Sequence, residues 1–277
     1  MTGKIIRRTL LVAFLAVLIF VYLFPMYFAA ISSLKGTTEI FSSPLKPTAE
    51  PRFDNFDRAW NVGKIGLAFR NSFILSAGTI LIISLIGTMA SYVLAKFVFP
   101  ARNALYLLFV MGLMIPIQAV IIPLAIQINT LGLRGSYIVI ILIFVAQFLP
   151  MAVFILTGFI RTIPSSLEEA ALVDGASTFY IFRRVIMPLA KGGLSVVVIF
   201  VYLYSWNDLL IPLVFTAGES QQTLSIGLVS FFGGLQGQSS YGAFMAAVLI
   251  AILPPIAMYV FASDLVERGL TAGAMKG

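Results

Sequence analysis

The sequence predicts an all-α integral membrane protein with six transmembrane helices. Three observations carry that prediction. Of 277 residues, 60% are hydrophobic and only 10% charged, whereas a soluble domain carries about 25% charged residues. Mean hydropathy is +1.03. Six segments, 10–31, 73–95, 104–126, 137–160, 192–213 and 242–263, reach the roughly 20 apolar residues that cross about 30 Å of hydrocarbon. None of them holds Lys or Arg, and Asp208, near the end of the fifth, is their one acid.

Taken in order, Lys4, Arg7 and Arg8 precede the first apolar run. That pattern resembles a signal peptide, but the run from Leu10 to Ile31 exceeds an h-region of about 7–15 residues. It is read as an uncleaved span. Prolines recur at membrane depth, at positions 25, 116, 123, 150, 212, 254 and 255. Helix bundles tolerate them because neighbouring groups satisfy the freed carbonyls. They fit mobile, pathway-lining helices or ordinary kinks in a packed bundle.

Orientation follows the basic residues. With six spans both termini share a side, and that side receives Lys4, Arg7, Arg8, Lys96, Arg102, Arg161, Arg183, Arg184, Lys191, Arg268 and Lys276. The other receives Lys35, Lys46, Arg52, Arg58, Lys64, Arg70 and Arg134, six of them in the 32–72 loop. The larger set marks the cytoplasm, so both termini and residues 161–191 are expected there. The net charge of +7 thus reflects cations beside spans rather than nucleic-acid binding.

The sharpest interruption is 161–191, with Arg161, Glu168, Glu169, Asp174, Arg183, Arg184 and Lys191. Each charge costs about 2.5–3.5 kcal/mol at the bilayer centre, roughly 20 kcal/mol together, so the segment stays outside. It still carries fold signals. Ser165 with Glu168, or Ser166 with Glu169, fits a capping box. Leu167, Ala170, Ala171 and Asp174 share a helix face. Gly175 stands where a helix-ending glycine belongs. Ser177 can cap a second short helix that Pro188 ends. A helix, a sharp turn and a helix follow. Its flat Ala170–Ala171 face suits either docking of another protein, with a glutamate left for an Arg partner, or a hairpin resting on headgroups.

The stretch "EAALVDGASTFYIFRRVIMP", Glu169 to Pro188, resembles the EAA loop of ABC-importer permeases. That family's pattern is E-A-A, three residues, G, nine residues, I-x-L-P. Glu169, Ala170, Ala171, Gly175 and Pro188 match in register, while Val185 and Met187 replace the usual Ile and Leu. The resemblance covers most of the chain. "MIPIQAVIIPLAIQINTLGL", "SWNDLLIPLVF" and "RGLTAGAMKG" are similar to the carbohydrate-importer branch, on the side of the maltose-type permease partner with a short N-terminus.

That resemblance implies a type I ABC-importer permease fold in a prokaryotic inner membrane. It implies a heterodimer with a second permease, two cytoplasmic ATPase subunits carrying ATP and Mg²⁺, and an extracytoplasmic sugar-binding protein. Residues 165–188 become the coupling helices. Glu169 pairs with a basic residue of the ATPase, Gly175 makes the turn, and Arg183 belongs to the same loop. Glu168 is assigned as the capping acid. The tail 268–277, with Thr271, Gly273 and Lys276, is read as a small, flexible terminus that inserts near the ATPase interface.

Polar residues within or at the rim of the spans are few: Gln118, Gln127, Gln147, Asn207 and Asp208, with Tyr204 and Trp206 beside the last two. Amides and carboxylates that bond hydroxyls, with aromatic faces against a ring, suit a sugar. Helix–helix hydrogen bonds and an interfacial aromatic belt suit the same residues. The loop 214–241, rich in Gly, Ser and Gln, fits contact with a mobile binding protein or a plain connection.

The inventory excludes several function classes. With no Cys and no His, Cys nucleophiles, His bases and zinc sites built from those ligands are ruled out, and no constellation for a membrane-embedded enzyme is visible. Spans nearly bare of ionisable groups weaken an ion-coupled secondary transporter. Neither Gly3-Lys4 nor Gly63-Lys64 sits in a G-x-x-x-x-G-K-[ST] phosphate loop, so no cofactor is expected in this chain and energy is expected from a partner. An importer of glycerol phosphate or a polyol is the alternative within the class.

Overall fold

The computed structural model describes residues 2–234 and 240–274, and every regular element in them is helical. In order these are α1 (Thr2–Ser33), α2 (Thr37–Ser42), α3 (Asp54–Asp57) with a π turn (Arg58–Val62), α4 (Ile65–Lys96), α5 (Arg102–Gly112), α6 (Ile117–Thr130) and α7 (Tyr137–Arg161). Then follow α8 (Ser166–Val173), α9 (Thr178–Ile181), a π turn (Phe182–Ile186), α10 (Met187–Leu189), α11 (Lys191–Asn207) and α12 (Leu210–Phe215). A 3₁₀ turn (Glu219–Gln221), α13 (Leu224–Gly234) and α14 (Tyr241–Ala274) complete the chain. Contacts group it into two compact units, 1–67 with 227–253, and 68–226 with 254–277.

In the first unit, α1 presents an apolar surface with none of its most apolar window buried, as a helix facing lipid requires. The 34–55 segment is wrapped around polar side chains. Lys35 is fully buried, and its Nζ donates to the carbonyls of Ser43 (2.7 Å) and Pro44 (3.4 Å). Asn55 donates to the carbonyls of Ser33 (2.8 Å) and Lys35 (3.0 Å). Gly242 lies against the Lys35 carbonyl and the Asn55 amide, where a Cβ would not fit.

The core lies in the second unit and is built on α7. Ile140, Phe144, Phe148, Ala152, Leu156 and Ile160 recur every four residues and are all buried, the stripe a 3.6-residue period produces. Helices α5 and α11 pack on it. Small polar residues join helices at close range: the Ser205 hydroxyl donates to Ser76 Oγ at 2.9 Å, and Ser91 to the Val153 carbonyl at 3.4 Å. With lipid on the outside, such bonds and close packing hold helices together where the hydrophobic effect cannot.

Four helices are long and apolar enough to cross a membrane, and two bent pairs raise the number to six among the described residues. The breaks are the main departure from the sequence reading. Segment 104–126, read as one span, is α5 and α6 meeting at 91°. The chain between them makes i→i−3 turns from Leu113 to Ile115, and Pro116, extended at ψ 132°, has no N–H with which to continue a helix. Gly112 admits the kink, since a Cβ there would meet Pro150 of α7 at 2.9 Å. Segment 192–213 is also interrupted: α11 stops at Asn207, and Asp208 is extended before α12. A further bend of 73° separates Thr178–Leu189 from α11.

The last helix departs as well. It runs without interruption to Ala274, so 268–274 is helical rather than a frayed tail. Thr271 and Gly273 lie on that helix, and Lys276 lies outside the described residues. The 214–241 loop is likewise more ordered than its composition predicts, since α13 occupies 224–234. Buried polar groups tie its first part down. Asn71 donates to the carbonyls of Ser220 and Gln222, both at 2.9 Å, and accepts from the Tyr137 hydroxyl at 2.8 Å. Gln221 bonds the Gly135 carbonyl and the Ala217 N–H.

Asn71→Ala is expected to lower stability by about 2–3 kcal/mol, because it strands two carbonyls and a hydroxyl. A fall in the thermal midpoint of the detergent-purified protein checks this, with earlier proteolysis within 216–224.

Candidate functional site

The polar segment 162–190, flanked by the apolar helices α7 and α11, folds as a tight hairpin. Helix α8 ends in a Schellman motif. The Ala176 N–H donates to the Ala171 carbonyl (2.9 Å) and the Gly175 N–H to the Leu172 carbonyl (3.0 Å), the 6→1 and 5→2 bonds that define the motif. Gly175 has φ +81°, so the turn needs a residue without a Cβ penalty. Ser177 caps α9 as expected, accepting from the Tyr180 N–H at 3.3 Å.

The start of α8 differs from expectation. Ser165 has helical dihedrals, φ −67° and ψ −23°, and makes no side-chain cap bond. Glu168 does not act as the capping acid. Its Oε2 accepts from the Tyr92 hydroxyl at 2.9 Å, and its Oε1 lies 3.1 Å from Lys96 Nζ. The Lys96 ammonium also donates to the Ile163 carbonyl. The side chains of Glu168 and Lys96 are only 13% and 7% exposed. A charged acceptor already engaged by a cation and a phenol has no reason to fold back onto its own helix.

Tyr92 is buried and faces both arms of the hairpin. Its hydroxyl holds Glu168 on the first arm, and its ring lies 5.6 Å from that of Phe182 on the second. Phe97 packs edge-on against the same ring at 5.4 Å. Arg102 closes the end of α4 by donating to the carbonyls of Leu94 (2.8 Å) and Ala95 (3.1 Å). The guanidinium of Arg161 sits 5.1 Å above the Tyr106 ring, within cation–π reach. The inner face of the hairpin, Ala171, Ala176, Ile181, Phe182 and Ile186, joins the apolar core.

The outer face is different. Glu169, Ala170, Asp174 and Gly175 lie on it, all four exposed along the hairpin surface. The Glu169 carboxylate has no hydrogen-bond or ion-pair partner among the described residues. Leu172 (55%), Val173 (87%), Phe179 (64%) and Tyr180 (54%) stand exposed around them. Arg183, Arg184 and Pro188 belong to the second arm of the same hairpin. An apolar patch rimmed by charge, on a firmly seated element, has the character of an interaction surface, for a protein or for a membrane.

The other expected residues scatter. Trp206 is 2% exposed and packs edge-on to Phe69 at 5.2 Å and against Tyr202 at 5.4 Å, so its ring is part of the core. Asp208 accepts from the Ile211 N–H at 2.8 Å, supplying a cap where α11 breaks. Asn207 is exposed and donates to the Leu203 carbonyl at 2.7 Å. Tyr204 is exposed, its ring 5.8 Å from that of Phe148. Gln147, next to Phe148, borders an apolar groove of about 450 Å³ between α5, α6 and α7, and its buried Oε1 lacks a hydrogen-bond partner among the described residues. Gln118 and Gln127 are exposed on α6. Tyr92 and Lys96 were missed from sequence. Their signal was a Tyr and a Lys one turn apart at the end of a span, as i and i+4.

The family described as "Binding-protein-dependent transport system inner membrane component" matches residues 83–272, which takes in the whole hairpin. The chain belongs to this family. Among similar proteins, the diacetylchitobiose uptake system permease protein NgcG of Streptomyces coelicolor is 33% identical over 252 residues, covering 91% of this chain and 83% of the relative. The melibiose/raffinose/stachyose import permease protein MelC of Bacillus subtilis is 31% identical over 97% of this chain and 96% of its own. A chain of a bacterial ABC transporter involved in the import of the acidic polysaccharide alginate superposes with a TM-score of 0.77 at 19% identity, covering 95% of this chain and 97% of that one. The permease therefore has the type I ABC-importer permease fold expected from its sequence, with carbohydrate permeases among its relatives.

Because nothing lies within 4 Å of a Cβ built on Gly175, the cost of Gly175→Ala is backbone strain alone, about 1–2 kcal/mol. Gly175→Asn is expected to cost less, as Asn tolerates left-handed backbone. Rates of limited proteolysis at 172–178 should rank Gly175→Ala above Gly175→Asn above the parent.

Proposed function

We propose that this chain forms half of the translocation pathway of an ATP-driven, binding-protein-dependent importer of a sugar or oligosaccharide. In this reading the hairpin 165–188 docks a cytoplasmic ATPase. The single observation that carries the docking is the hairpin's outer face, with its unengaged Glu169, the small Ala170 and exposed Leu172, Val173, Phe179 and Tyr180. A free carboxylate beside an apolar patch matches an Arg partner set in a hydrophobic cleft. Carbohydrate specificity is supported by relatives named for diacetylchitobiose and for melibiose, raffinose and stachyose. An importer of glycerol phosphate or a polyol is the second reading within the class.

The remaining parts follow from the same scheme. Both termini and the hairpin face the cytoplasm, supported by the eleven basic residues on that side against seven on the other. ATP and Mg²⁺ are held by two ATPase subunits, and a second permease completes the pathway. An extracytoplasmic sugar-binding protein delivers solute, a reading supported by a structural neighbour, TM-score 0.63 at 16% identity over 96% of this chain and of that one, in complex with an alginate pentasaccharide-bound periplasmic protein. Gln147, Tyr204, Asn207 and Gln118 are read as polar groups that line the pathway, a reading supported by the exposure of Gln118, Tyr204 and Asn207. Trp206 and Asp208 contribute to it indirectly in this reading, supported by the ring packing of Trp206 and the helix-cap bond of Asp208. The helical C-terminal segment with Thr271 and Gly273, together with Lys276, lies near the ATPases.

Glu169→Lys is expected to insert normally but to lose ATPase co-purification by about tenfold or more, because a docked cation then meets a like charge. Normal co-purification with normal uptake would reject the docking surface. Deleting 270–277 is expected to leave membrane insertion intact and to alter ATP turnover of the reconstituted importer; turnover and uptake equal to the parent would remove the tail from the mechanism.

A further inference from the structure

Two glutamates stand side by side at the start of α8, and the fold gives them different work. Glu169 is left without a partner among the described residues. Glu168 turns inward to the last two turns of α4, where the Tyr92 hydroxyl bonds its Oε2 and the Lys96 ammonium forms an ion pair 3.1 Å from its Oε1. Lys96 reaches a third element as well, through the carbonyl of Ile163 between α7 and α8. Tyr92 meets the second arm through Phe182. Four pieces of chain thus converge on one buried ion pair: the end of α4, the α7–α8 connection, α8 and the π turn after α9.

We propose that Lys96, Glu168 and Tyr92 form the transmission element of this permease, a clasp that makes α4 move with the hairpin as one body. The proposal rests on the docking reading and adds to it. Glu169 meets the ATPase, and Glu168 passes the motion inward. Packing alone would let the hairpin pivot or slide, since apolar contacts lack direction. The charge-assisted bond from Tyr92 to Glu168 fixes geometry, and an unpaired Lys96 or Glu168 charge in this buried place strongly disfavours separation of α8 from α4. The clasp also sits on a stiff lever, because Arg102 satisfies the terminal carbonyls of α4 and so discourages fraying of its last turn. Glu168, Lys96 and Tyr92 are therefore positioning residues that touch neither solute nor nucleotide.

The test uses the complete importer in proteoliposomes, with the binding protein and its solute, and reads ATP hydrolysed per solute imported. Glu168→Gln is expected to keep the ATPase bound but to raise that ratio about tenfold, the size of a typical coupling between sites. Tyr92→Phe should raise it about fivefold or less, for one lost hydrogen bond. Lys96→Arg, which keeps charge and reach, should stay near the parent ratio. The charge-exchanged pair Lys96→Glu with Glu168→Lys should import better than either single change. A parent-like ratio in Glu168→Gln overturns the clasp, as does loss of the ATPase from that variant, which would make Glu168 a docking residue. If Glu168→Gln fails to accumulate, Tyr92→Phe and Lys96→Arg carry the test, and equal ratios in both overturn it. The two readings fail separately: ATPase retained by Glu169→Lys with normal uptake defeats docking, and an unchanged ratio in Glu168→Gln defeats the clasp.

Discussion

A peptide group left bare in hydrocarbon costs several kcal/mol, so every break in an apolar helix must be answered by a partner. The interruptions of this chain show such answers. Asp208 accepts from the Ile211 N–H where α11 gives way to α12. Arg102 donates to the carbonyls at the end of α4. Pro116 starts α6 with a residue that has no N–H to satisfy. The one acid within the expected spans is thus accounted for as a cap.

The same constraint explains where charges gather. Charged groups excluded from the bilayer interior collect at the end of α4 and between α7 and α11, and their own solvation then divides them. Those that can pair are drawn inward, as Lys96 and Glu168 are. Those that cannot pair locally stay at the surface, as Asp174, Arg183 and Arg184 do. An inward ionic face and an outward one on the same short hairpin let it be seated firmly and still offer a charged, apolar surface to a partner.

Much of this was legible in the sequence. Four of the six apolar runs lie within single helices, because in hydrocarbon a helix satisfies its own backbone groups. The turn at Gly175 and the cap at Ser177 were readable because both depend on local chemistry. The bends were harder. A hydropathy window over 104–126 registers apolarity but not the approach of Gly112 to Pro150, which is a long-range fact. The order of 216–224 was hidden for the same reason, since Asn71 and Gly135 hold it from far along the chain. Trp206 looked like a sugar platform by residue type, whereas Phe69 and Tyr202 decide its surroundings.

The misassignment of Glu168 shows where local reading reaches its limit. A serine three residues ahead of a glutamate satisfies the capping-box pattern, and such a box contributes on the order of 1 kcal/mol. Lys96 and Tyr92 offer the same carboxylate a buried ion pair and a charged hydrogen bond, whose disruption costs about 3–5 kcal/mol. The stronger interaction wins, and the side chain leaves its own helix terminus for the end of α4, far earlier in the chain. Local rules predict a side chain's partner only when no stronger partner is brought within reach, and in a packed helical membrane protein the ends of the spans are where such partners meet.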